Sequence, residues 1–160
     1  KLDQVKKQFL KNYSHKSSDY VLVPLQVPDD TNVVNCSRFN NGMQEFIDFI
    51  DSSYSVQERV VFKPHPKDFY SCNYVYHGRE VSDLPFLELL QHAKHVHGIT
   101  SSTLFEAVMA GVDVIFEGNS LLSKHVGNHQ KLLAGMVDRQ ASITESDLAY
   151  WLDKYSHVSL

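Results

Sequence analysis

His95-Val-His-Gly-Ile-Thr-Ser-Ser-Thr-Leu-Phe-Glu-Ala-Val-Met-Ala-Gly111 changes from a β-rich run to a helical run across a few hydroxyl side chains. It predicts a strand over His95 to Ile99 and a helix over Thr103 to Ala110. Gly111 should end this helix, because glycine readily takes the left-handed conformation found after helix C-termini. Val112 to Phe116 is predicted to be the next strand. This strand–turn–helix–strand succession is typical of α/β proteins.

The same alternation extends along the rest of the chain. Further predicted elements are strands at Tyr20–Leu25, Val60–Lys63 and Tyr74–Tyr76, helices at Leu2–Tyr13, Met43–Ile50, Leu84–Ala93 and Ser142–Tyr155, and a loop at Gln26–Asn41. Apolar residues recur at helical spacing in the Met43 helix. The pattern predicts an α/β fold with a doubly wound, mostly parallel, Rossmann-like sheet.

Bulk properties limit the function. The 160 residues are enough for one domain, 1–160, and too few for two large ones. A net charge of −4 argues against a nucleic-acid partner, so any phosphate site must be local. Cys36 and Cys72 match no metal or disulfide pattern and are expected to be free thiols. The sequence begins at Lys1, and we expect it to be part of a longer protein.

Three polar segments follow predicted strands. They are Gln26–Asp30, His65-Pro66 and Thr100-Ser101-Ser102. Ligands of doubly wound sheets bind outside the carboxyl ends of the strands. We therefore expect these segments to meet at one edge of the sheet.

Each segment has a structural and a functional interpretation. The Thr100–Thr103 turn opens a helix and could bind an anion, or Thr103 and Glu106 could form a capping box. His65, held between two prolines, could donate to a phosphate or protonate a leaving group, or it could be a chance surface histidine. The carboxylates of Asp29 and Asp30 could act as nucleophile or base, or they could simply form a turn.

Taken in order, these segments resemble a known family. Phe62-Lys-Pro-His-Pro66 and Gly98-Ile-Thr-Ser-Ser-Thr-Leu-Phe-Glu-Ala107 resemble the motifs of bacterial CMP-sugar transferases with the GT-B fold. This group includes sialyl-, polysialyl- and Kdo transferases. The Gln26-x-x-x-Asp30 element is most similar to the retaining β-Kdo transferases of capsule and lipopolysaccharide synthesis. The likeness covers residues 20–118 and implies the nucleotide-binding half of such an enzyme.

The resemblance implies a role for each residue. The catalytic residues would be Asp30, as nucleophile, and His65, which contacts CMP. The expected substrate-binding residues are Gln26, Lys63, Pro66, Thr100, Ser101, Ser102, Thr103, Glu106 and Glu117. Ser101, Ser102 and the helix from Thr103 would hold the phosphate, and Glu106 or Glu117 the ribose. No metal and no cofactor beyond the donor sugar nucleotide is expected.

The resemblance also implies partners. They are CMP-Kdo or a related CMP-sugar, a glycan or glycolipid acceptor, and an N-terminal acceptor domain missing from this chain. The isolated domain is expected to be inactive. We expect a bacterial cytoplasmic location, with peripheral association of the full enzyme at the inner membrane left open. Two alternatives remain, namely an inverting CMP-sialic acid transferase and a non-catalytic α/β module that binds another phosphate or a protein.

Overall fold

Strand β1 (Tyr20–Pro24) lies at the centre of a five-stranded parallel sheet. The computed structural model describes residues 1–69 and 71–139. The other strands are β2 (Val60–Lys63), β3 (Glu80–Val81), β4 (Ala93–Gly98) and β5 (Val114–Phe116). The α/β prediction is confirmed, and the predicted helix Ser142–Tyr155 lies outside the described residues.

The strand order is β3-β2-β1-β4-β5, and every pairing is parallel. The chain moves outward from β1 in one direction through β2 and β3, then returns to the other side of β1 for β4 and β5. Neighbouring strands β1 and β4 are therefore followed by connections that leave the sheet in opposite directions. Such a switch point opens a crevice at the carboxyl ends of the two strands.

Helices cover both faces of this sheet. They are α1 (Leu2–Phe9), α2 (Thr31–Cys36), α3 (Met43–Ser53), α4 (Phe86–Leu90), α5 (Thr103–Ala110) and α6 (His129–Arg139), with 3₁₀ turns at Leu10–Asn12, Ser71–Asn73 and Ser123–His125. Alternate residues of β1 serve the two layers, as expected for a strand. Tyr20 and Leu22 pack with α4 and α5, whereas Val21 and Val23 pack with α3. Parallel sheets are stable when both faces are covered in this way.

The helix from Thr103 to Ala110 is confirmed at both ends, and Gly111 takes a left-handed conformation with φ 78°. The predicted Thr103–Glu106 capping box is wrong. The helix N-cap is Ser102, whose side chain makes no capping hydrogen bond. The predicted loop over Gln26–Asn41 is also wrong in part, because it contains α2, which begins where the Asp30 side chain accepts a hydrogen bond from Asn32 N.

The predicted strand at Tyr74–Tyr76 is wrong. These alternating tyrosines pack against the α3 layer, and their hydroxyls donate to Asp68 Oδ2 (2.9 Å) and the Ser71 carbonyl (3.0 Å). The third strand is instead the short Glu80–Val81 pair beside β2. The predicted helix Leu84–Ala93 ends early at Leu90, because Ala93 is fully buried in the sheet and pairs with Tyr20.

A series of hydrogen-bonded polar side chains crosses the α3 face of the sheet, with His97 buried and the others half-buried. The Tyr54 hydroxyl lies 2.9 Å from His95 Nε2 and 2.8 Å from His97 Nδ1. His97 Nε2 lies 2.9 Å from Glu117 Oε1, directly after β5. The pKa of His97 is lowered by burial, although the Glu117 carboxylate opposes this shift. Glu117 is therefore held in place by a histidine whose neutral form is favoured by burial.

The lowered pKa of His97 predicts sensitivity to acid. Unfolding exposes a histidine with an ordinary pKa of 6.5, so the unfolded state binds more protons below that pH. The free energy of unfolding is therefore unaffected by this titration above about pH 6.5. Below that pH it falls, by up to ~1.4 kcal/mol per pH unit for each such histidine. Urea unfolding at pH 7.5, 6.5 and 5.5 should show a shallower pH slope in His97→Gln than in the native chain.

His15 supplies the control for this experiment, because it is exposed and, within the described part of the chain, hydrogen-bonds only to Ser18. His15→Gln should reproduce the native pH slope. Equal slopes in His97→Gln and the native chain would show that His97 does not contribute to the acid sensitivity.

Candidate functional site

Gln26 joins the ends of β1 and β4 across the switch point. Its side chain is 4% exposed. Oε1 accepts a hydrogen bond from Thr100 N at 3.0 Å. Nε2 donates to Asp30 Oδ2 at 2.9 Å and to Thr100 Oγ1 at 3.2 Å. The segments after β1 and β4 are thus in direct contact, which confirms that these two predicted segments meet at one edge.

The structure separates the two neighbouring carboxylates of the first loop. Asp29 is exposed in a turn closed by a hydrogen bond from Asp30 N to the Val27 carbonyl at 3.1 Å. The Asp30 carboxylate is half-buried. Its Oδ1 accepts from Asn32 N at 2.8 Å, and its Oδ2 accepts from Gln26. The loop is both the predicted turn and a helix cap, and of its two carboxylates only Asp30 is hydrogen-bonded to Gln26.

The Thr100–Thr103 turn connects β4 to α5. Thr100 N is occupied by Gln26, and Ser101 Oγ lies 2.8 Å from Thr103 Oγ1. Ser102 is exposed at the N-terminus of the eight-residue helix. Backbone N–H groups and the positive end of the helix dipole face the same side there. Leu104 N and Phe105 N donate to the Ser101 and Ser102 carbonyls, and Thr103 N lies 3.4 Å from Ser101 Oγ. Among the described residues, the donors left to a phosphate are the hydroxyls and backbone N–H groups of Ser101 and Ser102.

Gly118 allows a close approach to this turn. A Cβ atom at position 118 would lie 2.8 Å from the Ile99 carbonyl oxygen and would also collide with the Thr100 side chain. The backbone beyond β5 therefore packs directly on the backbone that enters the turn. Only glycine fits without displacing Thr100.

His65 follows β2 at the same edge of the sheet. Its Nδ1 accepts a hydrogen bond from Lys67 N at 3.1 Å, so the ring proton is assigned to Nε2. Lys63 Nζ donates to the Pro64 carbonyl at 3.2 Å, and Pro66 lies exposed in the turn. Since β2 lies next to β1 in parallel, the Nε2 donor of His65 is at the same edge as Asp30.

Asp68 is a buried residue of this loop that was not predicted from the sequence. It is 6% exposed, and its N–H donates to the His65 carbonyl at 2.9 Å. Its Oδ2 accepts from Tyr74 Oη. A carboxylate three residues after His65 is a common turn residue, but nothing in the sequence pattern indicates that it is buried.

The two predicted ribose acceptors differ in their surroundings. Glu106 is half-buried in α5, and burial raises the pKa of its carboxyl group. Glu117 has both oxygens engaged, since Oε1 is paired with His97 and Oε2 accepts from Arg38 Nη2 at 2.9 Å. Arg38, also missed from the sequence, packs its guanidinium 4.3 Å from the Phe49 ring centre.

No group of three or more His, Cys, Asp or Glu side chains within residues 1–69 and 71–139 could hold a metal ion. In the same part of the chain, no helix is both long and apolar enough to cross a membrane. Of the predicted site residues, the structure joins Gln26, Asp30 and Thr100 by hydrogen bonds. It places His65 and Ser101 at the same edge of the sheet.

Comparisons with known proteins are consistent with this fold. Residues 3–125 match the sequence family described as "Capsule polysaccharide biosynthesis protein". The solved structure of KpsC, a beta Kdo 2,7 transferase of Thermosulfurimonas dismutans, is similar with a TM-score of 0.63 and 22% sequence identity. The match covers 78% of this chain and 43% of that chain, so this chain spans less than half the length of the solved protein.

None of the curated proteins compared with this chain matches it. The family match covers more than half of the chain, and it includes all three strand ends that form the site. The chain belongs to the capsule polysaccharide biosynthesis protein family.

Proposed function

We propose that this chain is the donor-binding half of a glycosyltransferase that uses a CMP-sugar, with CMP-Kdo preferred. The observation that carries the proposal is the contact between the Asp30 loop and the Thr100 turn at the switch point. This contact sets a carboxylate beside a group of anion-binding donors. A sugar nucleotide needs both, since its phosphate must be held while its anomeric carbon is attacked.

The donors fit a nucleotide phosphate. The hydroxyls and backbone N–H groups of Ser101 and Ser102, at the N-terminus of α5, would bind its oxygens, as helix N-termini commonly do. His65 would donate from Nε2, because its other ring nitrogen accepts the hydrogen bond from Lys67 N. Fixed donors of this kind stabilise the negative charge that develops on the departing phosphate. Glu106, half-buried and without a hydrogen-bond partner among the described residues, is available to a ribose hydroxyl.

Asp30 would be the nucleophile of a double displacement. An Asp30 oxygen attacks the anomeric carbon, and the bond from that carbon to the CMP phosphate oxygen breaks. The acceptor hydroxyl then loses its proton to a base, attacks the same carbon and releases Asp30. Two inversions give net retention at the anomeric carbon. Asp30 is preferred to Asp29 because its carboxylate is turned inward and held at both oxygens.

The remaining parts of the proposal concern partners. The acceptor would be a growing bacterial surface polysaccharide or its glycolipid, bound chiefly by a second domain. The family match to capsule polysaccharide biosynthesis supports this class of acceptor. Action on an intracellular sugar nucleotide would place the full enzyme in the cytoplasm, with peripheral attachment at the inner membrane.

Nucleotide binding tests the donor site. In the full-length protein, calorimetry should detect CMP binding, with UMP weaker. His65→Ala should weaken CMP binding about 10-fold or more, because it removes one hydrogen bond to a charged phosphate. His65→Gln, which keeps a side-chain N–H donor, should lose less. His125→Ala changes an exposed histidine and should bind CMP like the native protein. Equal affinity for UMP and CMP would contradict a cytidine site.

Substitution of Asp30 tests the nucleophile. Asp30→Ala and Asp30→Asn should abolish sugar transfer by the full-length protein, while CMP affinity changes less than about threefold, because the phosphate donors remain. With donor present, mass spectrometry of the native protein should find a sugar adduct on the peptide that contains Asp30. The product should keep the anomeric configuration of the donor.

Two variants control for the helix-capping role of Asp30. Asp30→Ala removes the cap of α2 and should cost about 1 kcal/mol of stability, whereas Asn is a good N-cap and should cost less. Loss of transfer in both variants would therefore separate chemistry from stability. Asp29→Asn should stay active. Full activity in Asp30→Ala, or an inverted product, would exclude Asp30 as the nucleophile of a retaining reaction, and inversion would favour a sialyltransferase-like route.

A further inference from the structure

Gln26 is a buried amide whose polar atoms are committed to the protein. Oε1 accepts from Thr100 N, and the two hydrogens of Nε2 lie toward Asp30 Oδ2 and Thr100 Oγ1. At 4% exposure, this side chain has neither a free donor nor open surface for a sugar. The sequence resemblance grouped Gln26 with the substrate contacts, but the geometry favours a different role.

The orientation of the Gln26 amide is dictated by the backbone. Thr100 N–H can only donate, so the amide oxygen must face it. The amide nitrogen must then face Asp30, which as a carboxylate can only accept. The other Asp30 oxygen is held by Asn32 N at 2.8 Å. Both carboxylate oxygens are consequently fixed, one by the helix that Asp30 caps and one by Gln26.

We propose that Gln26 is a positioning residue that fixes the Asp30 carboxylate relative to the Thr100 backbone. This inference rests on the proposed role of Asp30 as nucleophile. The Thr100 turn also carries the phosphate donors Ser101 and Ser102, so Gln26 sets the separation between the attacking oxygen and the leaving phosphate. A brace between β1 and β4 would require only the hydrogen bond to Thr100. The additional hydrogen bond, from Gln26 Nε2 to Asp30 Oδ2 at 2.9 Å, orients the carboxylate.

In the full-length protein, Gln26→Glu tests the hydrogen bond to Asp30 separately from the hydrogen bond to Thr100 N. Glutamate has the same size and keeps an oxygen that accepts from Thr100 N. Its ionised form has no donor for Asp30 and repels it, and its protonated form shares a proton with Asp30, which makes that carboxylate a poorer nucleophile. We expect kcat to fall about 100-fold, the loss typical of a misplaced reacting group. KM for the donor and CMP affinity should change less than about threefold. The rate of adduct formation on Asp30 should fall in parallel with kcat.

Gln26→Met and Gln91→Glu complete the experiment. Methionine at position 26 removes the hydrogen bonds to both Asp30 and Thr100 N, and it should lower kcat and thermal stability together. Gln91 follows α4, and its side chain makes no hydrogen bond among the described residues, so Gln91→Glu repeats the charge change away from the crevice. Gln91→Glu should keep native kcat and KM.

Three results would overturn the inference, and they are distinguishable. A Gln26→Glu protein with kcat within threefold of native, beside an inactive Asp30→Ala protein, would exclude the positioning role and leave the proposed function intact. Parallel loss of CMP affinity and kcat in Gln26→Glu would assign Gln26 to ligand binding or to the fold. Full activity in Asp30→Ala would remove the nucleophile, and the role of Gln26 with it.

Discussion

Strand β1 forms parallel hydrogen-bonded pairs on both of its edges, with β2 on one side and β4 on the other. All five of its residues are buried, and their side chains alternate between the two helical layers. Because a parallel sheet aligns the carboxyl ends of its strands, this one strand determines which loops can meet. Gln26, His65 and Thr100 share an edge for that reason, although they are far apart in the sequence.

Local donors, and not overall charge, would have to supply the proposed affinity of the crevice for a phosphate. The chain carries a net charge of −4, which would repel a phosphate at long range. Within the crevice, the N-terminus of α5 and the Nε2–H of His65 provide donors aimed by the backbone. The Gln26 amide lies between the Asp30 carboxylate, to which its nitrogen donates, and Thr100 N, from which its oxygen accepts. The amide thus connects the proposed nucleophile to the turn that would hold the phosphate.

Much of this arrangement follows from short-range sequence patterns. The strand Val60–Lys63 and the helix Thr103–Ala110 have the bounds that the sequence predicts, because proline or glycine punctuates their ends. The convergence of the first and fourth strand ends was also predictable, since it needs only parallel pairing. The α2 helix was not predictable from apolar periodicity. It has six residues and depends on one capping contact from Asp30.

Other contacts in and near the site join residues that are far apart in the sequence or depend on tertiary packing. They could not be predicted from local sequence patterns. Arg38 reaches Glu117 from a position 79 residues away, and Asp68 is buried by tyrosines of a loop whose alternation is typical of a strand. In both cases the side chain type was ordinary and the partner was supplied by tertiary packing. The Tyr74–Tyr76 error has the same origin, because an alternating aromatic pattern records burial on one side and not strand pairing.

The separation of Gln26 from Thr100 by 74 residues bears on how the chain acquires its structure during synthesis. While the N-terminal half is being made, β1 can pair only with β2, and its other edge remains open until residues 93–98 have left the ribosome. An open edge on an apolar strand is a site of unwanted pairing between chains. Non-local contacts of this length also form slowly, because the intervening loop must close first. The crevice is therefore among the last features to form, and a chain interrupted before β4 has an aggregation-prone edge in place of a binding site.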